Sequence, residues 1–271
     1  MEIWYGPQDR FAVSILPPDG RWIGPVGPRQ FVENRQLRDG SFLSVYNELY
    51  HPANGANHIS IFLSPLLNSQ GIVGVKAGKW TVRLHGQEVR DGKFDAWIER
   101  DDPVRVGVAD NREAWRFPSY LSERSNVDDS SVGSLACGQR IISVANLDEA
   151  RGRIHISSSQ GPTRDGRSKP DVAAPGTGVV AARGFSADPE KRWLAMTGTS
   201  MASPFVTGVV GLMLAKERQL TAAQVEGIIR RTARPLPGAD FRWANDAGFG
   251  QIDPEACIRE AGLLFAREDR T

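Results

Sequence analysis

The sequence predicts two parts of different fold class: an antiparallel β-sandwich over residues 1–130 and an α/β region over residues 131–271. In the first part, apolar and aromatic residues alternate with polar ones in short runs bounded by Pro, Gly, Asn and Asp. In the second part, apolar runs without such alternation are followed by segments whose apolar residues recur at helical spacing. A polar stretch at residues 126–131 separates the two parts.

The strands of the first part are predicted from five alternating runs. They cover residues 3–5, 11–16, 58–63, 80–84 and 94–100. Period-two alternation is typical of strands with one buried face, and several such runs within about 100 residues favour a sandwich. We interpret Trp80 and Trp97 as core residues of this sandwich rather than as ligand-binding residues.

The second part is predicted to combine a parallel sheet with helices. Residues 140–145 and 178–182 are apolar runs expected for strands covered on both faces. From Met201 onward apolar residues recur at helical spacing, and Gly208 and Gly211 would let a neighbouring element approach this helix closely. Thr221 and Gln224 have the spacing of a capping box and predict a helix that continues through residues 228–229.

Composition excludes several function classes. The 271 residues include 33 basic and 32 acidic side chains, and a net charge of +1 gives no electrostatic reason to expect a nucleic-acid partner. The longest strongly apolar run, residues 206–215, is well short of the roughly 20 residues that cross a bilayer, so no membrane span is expected. The N-terminus lacks the basic start and apolar stretch of a secretory signal, which leaves the compartment open.

Metal and disulfide chemistry have little support in the sequence. Two cysteines are too few for a disulfide framework or a zinc site, and no cofactor is predicted. Two acidic pairs could contribute to a structural calcium site, but their spacing favours solvated turns. These pairs are Asp101-Asp102 and Asp128-Asp129.

The chemistry of the chain is predicted to lie at Ser200. This serine stands where the helix should begin, with Pro204 in the first turn, so the unpaired N–H groups of that turn would gather beside its hydroxyl. An acyl-transfer enzyme needs such an arrangement, because the serine oxygen attacks a carbonyl while fixed N–H donors bind the oxyanion. Serine is also a preferred helix N-cap, and this second interpretation stays open on the residues alone.

A resemblance to a known family favours the first interpretation. Residues 198–204 and the apolar helix after them are similar to the nucleophile segment of the subtilisin-like serine proteases, the subtilases. Residues 157–176 resemble the loop and strand before that segment, and residues 221–233 and 248–253 resemble the closing helix and the turn after it. The resemblance, over roughly residues 137–260, implies a serine endopeptidase that acts on proteins or peptides, with Ser200 as nucleophile and its backbone N–H as an oxyanion donor.

The same resemblance implies a fold and a division of the chain. Residues 131–271 would be the C-terminal half of a subtilisin-like parallel-sheet domain. Residues 78–84 and 95–98 look like parts of the β-sandwich insertion that some bacterial subtilases carry, so residues 1–130 would be that insertion.

The sequence departs from the subtilase pattern at the other catalytic positions. The family needs an Asp, a His and an oxyanion Asn before the serine, and no segment here has their motifs. Asn54 and Asn57 have the context of a turn. The four histidines look like ordinary strand or surface residues: His51, His58, His85 and His155.

We therefore expect the Asp and His to lie on a missing N-terminal segment, and the isolated chain to have no appreciable activity. The alternative is a truncated or degenerate subtilase that acts as a non-catalytic interaction protein.

Overall fold

The computed structural model describes residues 1–68, 71–99, 104–109, 112–116, 119–122, 129–185 and 192–263. The chain divides into two compact units, Met1–Asn126 and Val127–Thr271. None of the helices in these described ranges is long and apolar enough to cross a membrane.

The first unit is built from antiparallel strands. In chain order they are β1 (Glu2–Tyr5), β2 (Arg10–Leu16), β3 (Ile23–Val26), β4 (Phe31–Gln36), β5 (Phe42–Glu48), β6 (Asn57–Ser64), β7 (Leu66–Asn68), β8 (Gly71–Val73), β9 (Thr81–Glu88), β10 (Phe94–Trp97), β11 (Val104–Ala109) and β12 (Arg112–Arg116). One sheet has the order β10-β1-β6-β5-β4 and another the order β3-β2-β9, while β7 pairs with β8 and β11 with β12.

Both larger sheets of the first unit contribute side chains to one apolar cluster. Its buried residues come from β1, β2, β3, β5 and β6: Ile3, Tyr5, Phe11, Val13, Ile15, Ile23, Val26, Leu43, Val45, Ile59 and Ile61. Trp80 and Ala96 pack against this cluster. Because successive strand residues point to opposite faces, Trp97 points away from it, and the interpretation of Trp97 as a core residue is wrong.

The second unit combines short strands with three described helices. Its elements are β13 (Val144–Asp148), β14 (Arg153–Ile154), β15 (Val172–Pro175), β16 (Val179–Ala182), β17 (Trp193–Met196), α1 (Thr199–Lys216), α2 (Ala222–Thr232) and α3 (Pro254–Leu263). Strand β13 pairs in parallel with β15 and antiparallel with β14. Strands β16 and β17 form an antiparallel hairpin.

Both strands predicted for this unit differ from the prediction. Residues 140–143 lie outside the ladder because side chains bind their backbone: the Ser143 N–H donates to the Asp171 carboxylate (2.6 Å), and the Ile141 carbonyl accepts from Lys169. Residues 179–182 form a hairpin strand with Val180 exposed, not a strand covered on both faces. Gly178, at φ 65°, has the left-handed conformation of a turn before that hairpin.

The helices pack on the β13–β15 sheet through one side of α1. Ala202, Val206, Val209 and Met213 are the buried residues of that helix, and they join a core with residues of β15, α2 and α3. No atom lies within 4 Å of where a Cβ would stand at Gly208 or Gly211, so the close approach predicted there is absent from the described residues. The predicted capping box at Thr221 and Gln224 is confirmed at the start of α2.

Candidate functional site

The segment that carries Ser200 lies at the carboxyl end of β15. The chain leaves β17 at Met196 and enters α1 at Thr199. Two hydrogen bonds fasten this turn to the loop after β15: the Gly198 N–H donates to the Gly176 carbonyl (2.9 Å), and the Gly178 N–H donates to Thr197 Oγ1 (2.9 Å). In α/β sheets, ligands bind outside the carboxyl ends of parallel strands, so Ser200 occupies a favourable position for a site.

Ser200 is an exposed residue in the first turn of α1. The N-cap is Gly198, which has extended backbone and no side-chain cap, so the capping interpretation of Ser200 is wrong. Because the helix begins at Thr199, Pro204 lies in the second turn and not in the first as predicted. The Ser200 hydroxyl makes no hydrogen bond within the described part of the chain, which leaves it free to react.

The first turn of α1, which carries that hydroxyl, has both bonded and free backbone N–H groups. The N–H groups of Met201 and Ala202 both donate to the Gly198 carbonyl (3.0 and 3.3 Å). Those of Thr199 and Ser200 have no hydrogen-bond acceptor among the described residues, as expected for the first turn of a helix. The N-terminal end of α1 therefore offers unpaired N–H groups and the positive end of the helix dipole to an anion.

The turn rests on Gly176 and Asn146. A Cβ on Gly176 would lie 2.6 Å from Asn146 Oδ1 and 2.8 Å from the Gly198 carbonyl oxygen, so only glycine fits there. Asn146 is fully buried, and its Oδ1 accepts from Thr177 Oγ1 (3.0 Å). Its Nδ2 has no hydrogen-bond partner among the described residues, at a cost of about 1–3 kcal/mol. Sequence reasoning missed Asn146, although a polar residue directly after the apolar run 140–145 was a signal.

Buried ions fix the amino end of β15. Asp171 is fully buried and accepts from Lys169 Nζ (2.7 Å), from Arg230 Nη2 (2.6 Å) and from the Ser143 N–H (2.6 Å). Arg230 also pairs with Glu226 (2.5 Å) on α2. These contacts join α2 and the residue before β13 to β15, the strand that leads into Gly176.

The histidines make contacts of other kinds. His155 Nδ1 bonds with Ser157 Oγ (2.9 Å), and His85 Nε2 with Ser14 Oγ (2.9 Å). His58 stacks on Trp4 at 4.0 Å, with His51 edge-on to the same ring. Burial lowers the pKa of His58 below its usual value, although the carboxylates of Glu2 and Glu48 oppose this shift. Within the described ranges no histidine bonds to Ser200.

Comparison with known proteins identifies the family. The profile of the Subtilase family matches residues 111–250. Thermitase of Thermoactinomyces vulgaris is 36% identical over 210 residues, which are 76% of this chain and 68% of that protein. The chain belongs to the subtilase family. Subtilases are serine peptidases that act on proteins or peptides.

Two further similarities concern the extent and the fold of this subtilase. Serine protease AprX of Bacillus subtilis (strain 168) is 26% identical over 175 residues, covering 59% of this chain but 39% of that protein. The structure of the Clostridium perfringens CspB protease superimposes with a TM-score of 0.69 at 20% identity, over 96% of this chain and 51% of the other. The chain thus spans about half or less of these two proteins.

The described structure adds no candidate ligands to the calcium site that the sequence allowed. Among the residues described for this subtilase, no group of three or more His, Cys, Asp or Glu side chains is placed to hold a metal ion. Of the acidic pairs, Asp101, Asp102 and Asp128 lie outside the described residues. Cys137 and Cys257 are free thiols, and burial raises the pKa of both.

Proposed function

We propose that this chain contributes the nucleophile of a subtilisin-type serine endopeptidase. Ser200 Oγ attacks the carbonyl carbon of a peptide bond as its proton passes to a general base, which returns the proton to the leaving amine as the acyl-enzyme forms. Water, deprotonated by the same base, then releases the acyl group as a carboxylic acid, and the proton returns to Ser200 Oγ. The observation that carries the proposal is the exposed, unbonded hydroxyl of Ser200 beside free backbone donors at the start of α1.

The oxyanion of each tetrahedral intermediate would be bound by the Ser200 N–H. That donor has no acceptor among the described residues and lies at the positive end of the α1 dipole. A donor fixed before the reaction needs no reorganisation when charge develops on the substrate oxygen, and removing one such donor typically costs about 100–1000-fold in rate.

The general base and its orienting Asp would come from a segment outside these 271 residues. A serine hydroxyl without a base is a poor nucleophile at neutral pH, and the described histidines bond elsewhere. Helix α1 supports a missing neighbour because it carries apolar residues on its exposed side as well as on its buried side, a pattern typical of helices covered on more than one side. On the side of α1 away from the sheet, Phe205 and Leu212 are exposed. Gly208 and Gly211 on this helix have no described atom within 4 Å of where a Cβ would stand.

This assignment includes a division of the chain. Residues 131–271 would form the C-terminal part of the peptidase domain, and residues 1–130 a β-sandwich insertion. The shared core of the two larger sheets in the first unit supports the sandwich.

Labelling with a fluorophosphonate probe tests the proposal. The full chain should label weakly alone and strongly when co-expressed with the Asp- and His-bearing N-terminal part of a related subtilase. Ser200→Ala should abolish the labelling. Ser203→Ala is the matched control, since Ser203 is an exposed serine on the same helix, and it should label normally.

The rival function is a non-catalytic interaction protein. An assembled, folded complex without Ser200-dependent labelling would favour this rival function. Efficient casein cleavage by the isolated chain would instead contradict the proposal that the general base lies on another segment.

A further inference from the structure

The first unit contains an open depression that the proposed peptidase chemistry does not use. Its volume is about 420 Å³, within the range of small-molecule sites. One wall is the turn between β3 and β4, and the other is the end of β5 with the chain that follows it. Backbone hydrogen bonds of Asn47 with Arg29 and Gln30 join the two walls side by side.

Both walls hold residues in a strained backbone conformation. Arg29 lines the depression at φ 62°, and Tyr50, between two lining residues, has φ 57°. For a residue other than glycine, this left-handed conformation costs on the order of 1 kcal/mol or more. Such residues persist only where their surroundings hold them, and they concentrate at ligand sites.

Two buried asparagines hold these residues in place. The Asn47 carbonyl accepts the Arg29 N–H (2.8 Å), and Asn57 Oδ1 accepts the Tyr50 N–H (3.1 Å). Asn47 Nδ2 donates to carbonyl oxygens of β2 and β3 (2.8 and 3.1 Å). Asn57 Nδ2 donates to carbonyl oxygens between β1 and β2 (3.2 and 2.9 Å). The walls are therefore fixed by the core of the unit before any ligand arrives, which lowers the entropic cost of binding.

An aromatic platform forms one side of the depression. Phe31 is 64% exposed, and its ring stacks on that of Tyr46 with 6.2 Å between centroids and 19° between planes. The Tyr46 hydroxyl donates to Glu33 (2.7 Å), which holds the pair in position. The result is a flat apolar surface open to solvent.

Hydrogen-bond donors and an acceptor line the same depression. The Arg29 guanidinium and His51 Nε2 make no hydrogen bond within the described part of the chain, and both can donate. The carboxylate of Glu48 is exposed and can accept; it interacts with His58, whose Nδ1 lies 3.9 Å away, and keeps lone pairs for a ligand. The site thus combines donors, an acceptor and an exposed ring.

We propose that this depression binds a neutral saccharide. The electronegative face of the Phe31 ring suits the polarised C–H groups on one face of a pyranose. Sugar hydroxyls both accept and donate, so one ring can accept from Arg29 or His51 and donate to Glu48. A ligand with a single type of polar group would leave part of this set unpaired.

A peptide added as a further strand fits this region less well. Strand β4 is the edge of the five-stranded sheet next to the depression, but its pairing with β5 is interrupted between Val32 and Arg35. Asn34 has φ 50° at that bulge, and Glu33 and Arg35 put charges on the edge. Bulges and charges are features that block strand addition.

Binding to the full chain tests the proposal, by saturation-transfer NMR and calorimetry. The probes are maltose, cellobiose and N,N′-diacetylchitobiose, with glycylphenylalanine as a zwitterionic peptide probe. We expect saturable binding of at least one disaccharide, weakened about tenfold by Phe31→Ala and by Glu48→Gln. Phe62→Ala is the control, since Phe62 is an exposed ring on β6 that touches Tyr46 but does not line the depression, and it should bind normally.

Three results would overturn the proposal. They are an absence of saturable binding by all three disaccharides at millimolar concentration, binding of the dipeptide alone, and saccharide binding that both variants leave unchanged. Circular dichroism checks that each variant is folded. Glu48→Gln preserves the shape of an exposed side chain, so it decides the matter if Phe31→Ala fails to fold.

Discussion

The two units treat their apolar residues differently. In the first unit, strand residues that face inward form one shared core, as Leu43 and Val45 do in β5 while Ser44 and Tyr46 face outward. In the second unit, β17 exposes all four of its residues, including Trp193 at 69%, and α1 exposes Leu212 at 56%. The first unit also exposes single apolar side chains, such as Phe62 at 53%, but α1 and β17 are elements of the second unit with apolar residues on their exposed sides. An exposed apolar side of this kind is what the proposed neighbouring segment would cover.

The largest effect expected from this difference concerns separate expression. Residues 1–126 should fold alone into a soluble unit with a β-type circular dichroism spectrum, because their core closes without residues of the second unit. Residues 127–271 alone should aggregate, since α1 and the β16–β17 hairpin expose apolar surface.

Gel filtration and thermal unfolding of the two fragments give the measurement. A soluble, cooperatively folded 127–271 fragment would remove the contrast, and an unfolded 1–126 fragment would show that the division is misplaced.

The buried ions of the second unit carry the next effect. Asp171→Ala should destabilise the chain by about 3–5 kcal/mol, because it removes the 2.7 Å partner of buried Lys169, which then keeps the more distant Glu226 at 4.0 Å, and takes a partner from Arg230. Denaturant unfolding of the full chain measures this. The matched control is Glu255→Ala. Glu255 is an exposed residue 3.8 Å from Arg259, so its removal should change the free energy of unfolding by less than about 0.5 kcal/mol. Equal effects would contradict the structural role of Asp171.

Sequence and structure agree where the signal is local. Strand β2 and the start of α2 follow from alternation and from a capping box, both of which depend on residues a few positions apart. Strand β5 was missed although it alternates just as clearly, whereas β4 is mostly polar and exposed and has little pattern to find.

Contacts between distant residues explain the remaining differences. The start of β13 was misplaced because Asp171, 28 positions away, binds the Ser143 N–H. In the candidate site, the position of Ser200 at the start of a helix could be predicted from the sequence. The contact of Gly176 and Asn146 beneath that turn could not, because it exists only once β13 and β15 lie side by side.

Two buried asparagines allow a sharper comparison between the units. Asn47 accepts from the Tyr5 hydroxyl (3.3 Å) and donates twice, so Asn47→Ala should cost about 3 kcal/mol by leaving several polar groups unpaired. Asn146→Ala loses the Thr177 bond but also removes an unpaired donor, so its cost should be less than about 1 kcal/mol.

Denaturant unfolding of both variants in the full chain measures the difference. A larger loss for Asn146→Ala than for Asn47→Ala would mean that Nδ2 of Asn146 has a partner in solution.

The smallest effect expected is a pH dependence that belongs to the first unit. Asp9 accepts from the N–H groups of Arg90 (2.6 Å), Asp91 (3.1 Å) and Gly92 (2.9 Å), and these bonds lower the pKa of its carboxyl below the usual value. Because the folded pKa is lowered, the folded state binds this proton less readily than the unfolded state does. The stabilisation is therefore complete above the unfolded pKa of about 3.9 and is lost as the pH falls through the lower folded pKa.

Asp9→Asn should flatten the acid limb of the stability curve of the 1–126 fragment, measured by thermal unfolding between neutral and strongly acidic pH. Asp91→Asn is the control, because the Asp91 side chain takes no part in these bonds, and it should leave the acid limb as it is. An acid limb that Asp9→Asn leaves unchanged would assign the acid sensitivity of the unit to other carboxylates.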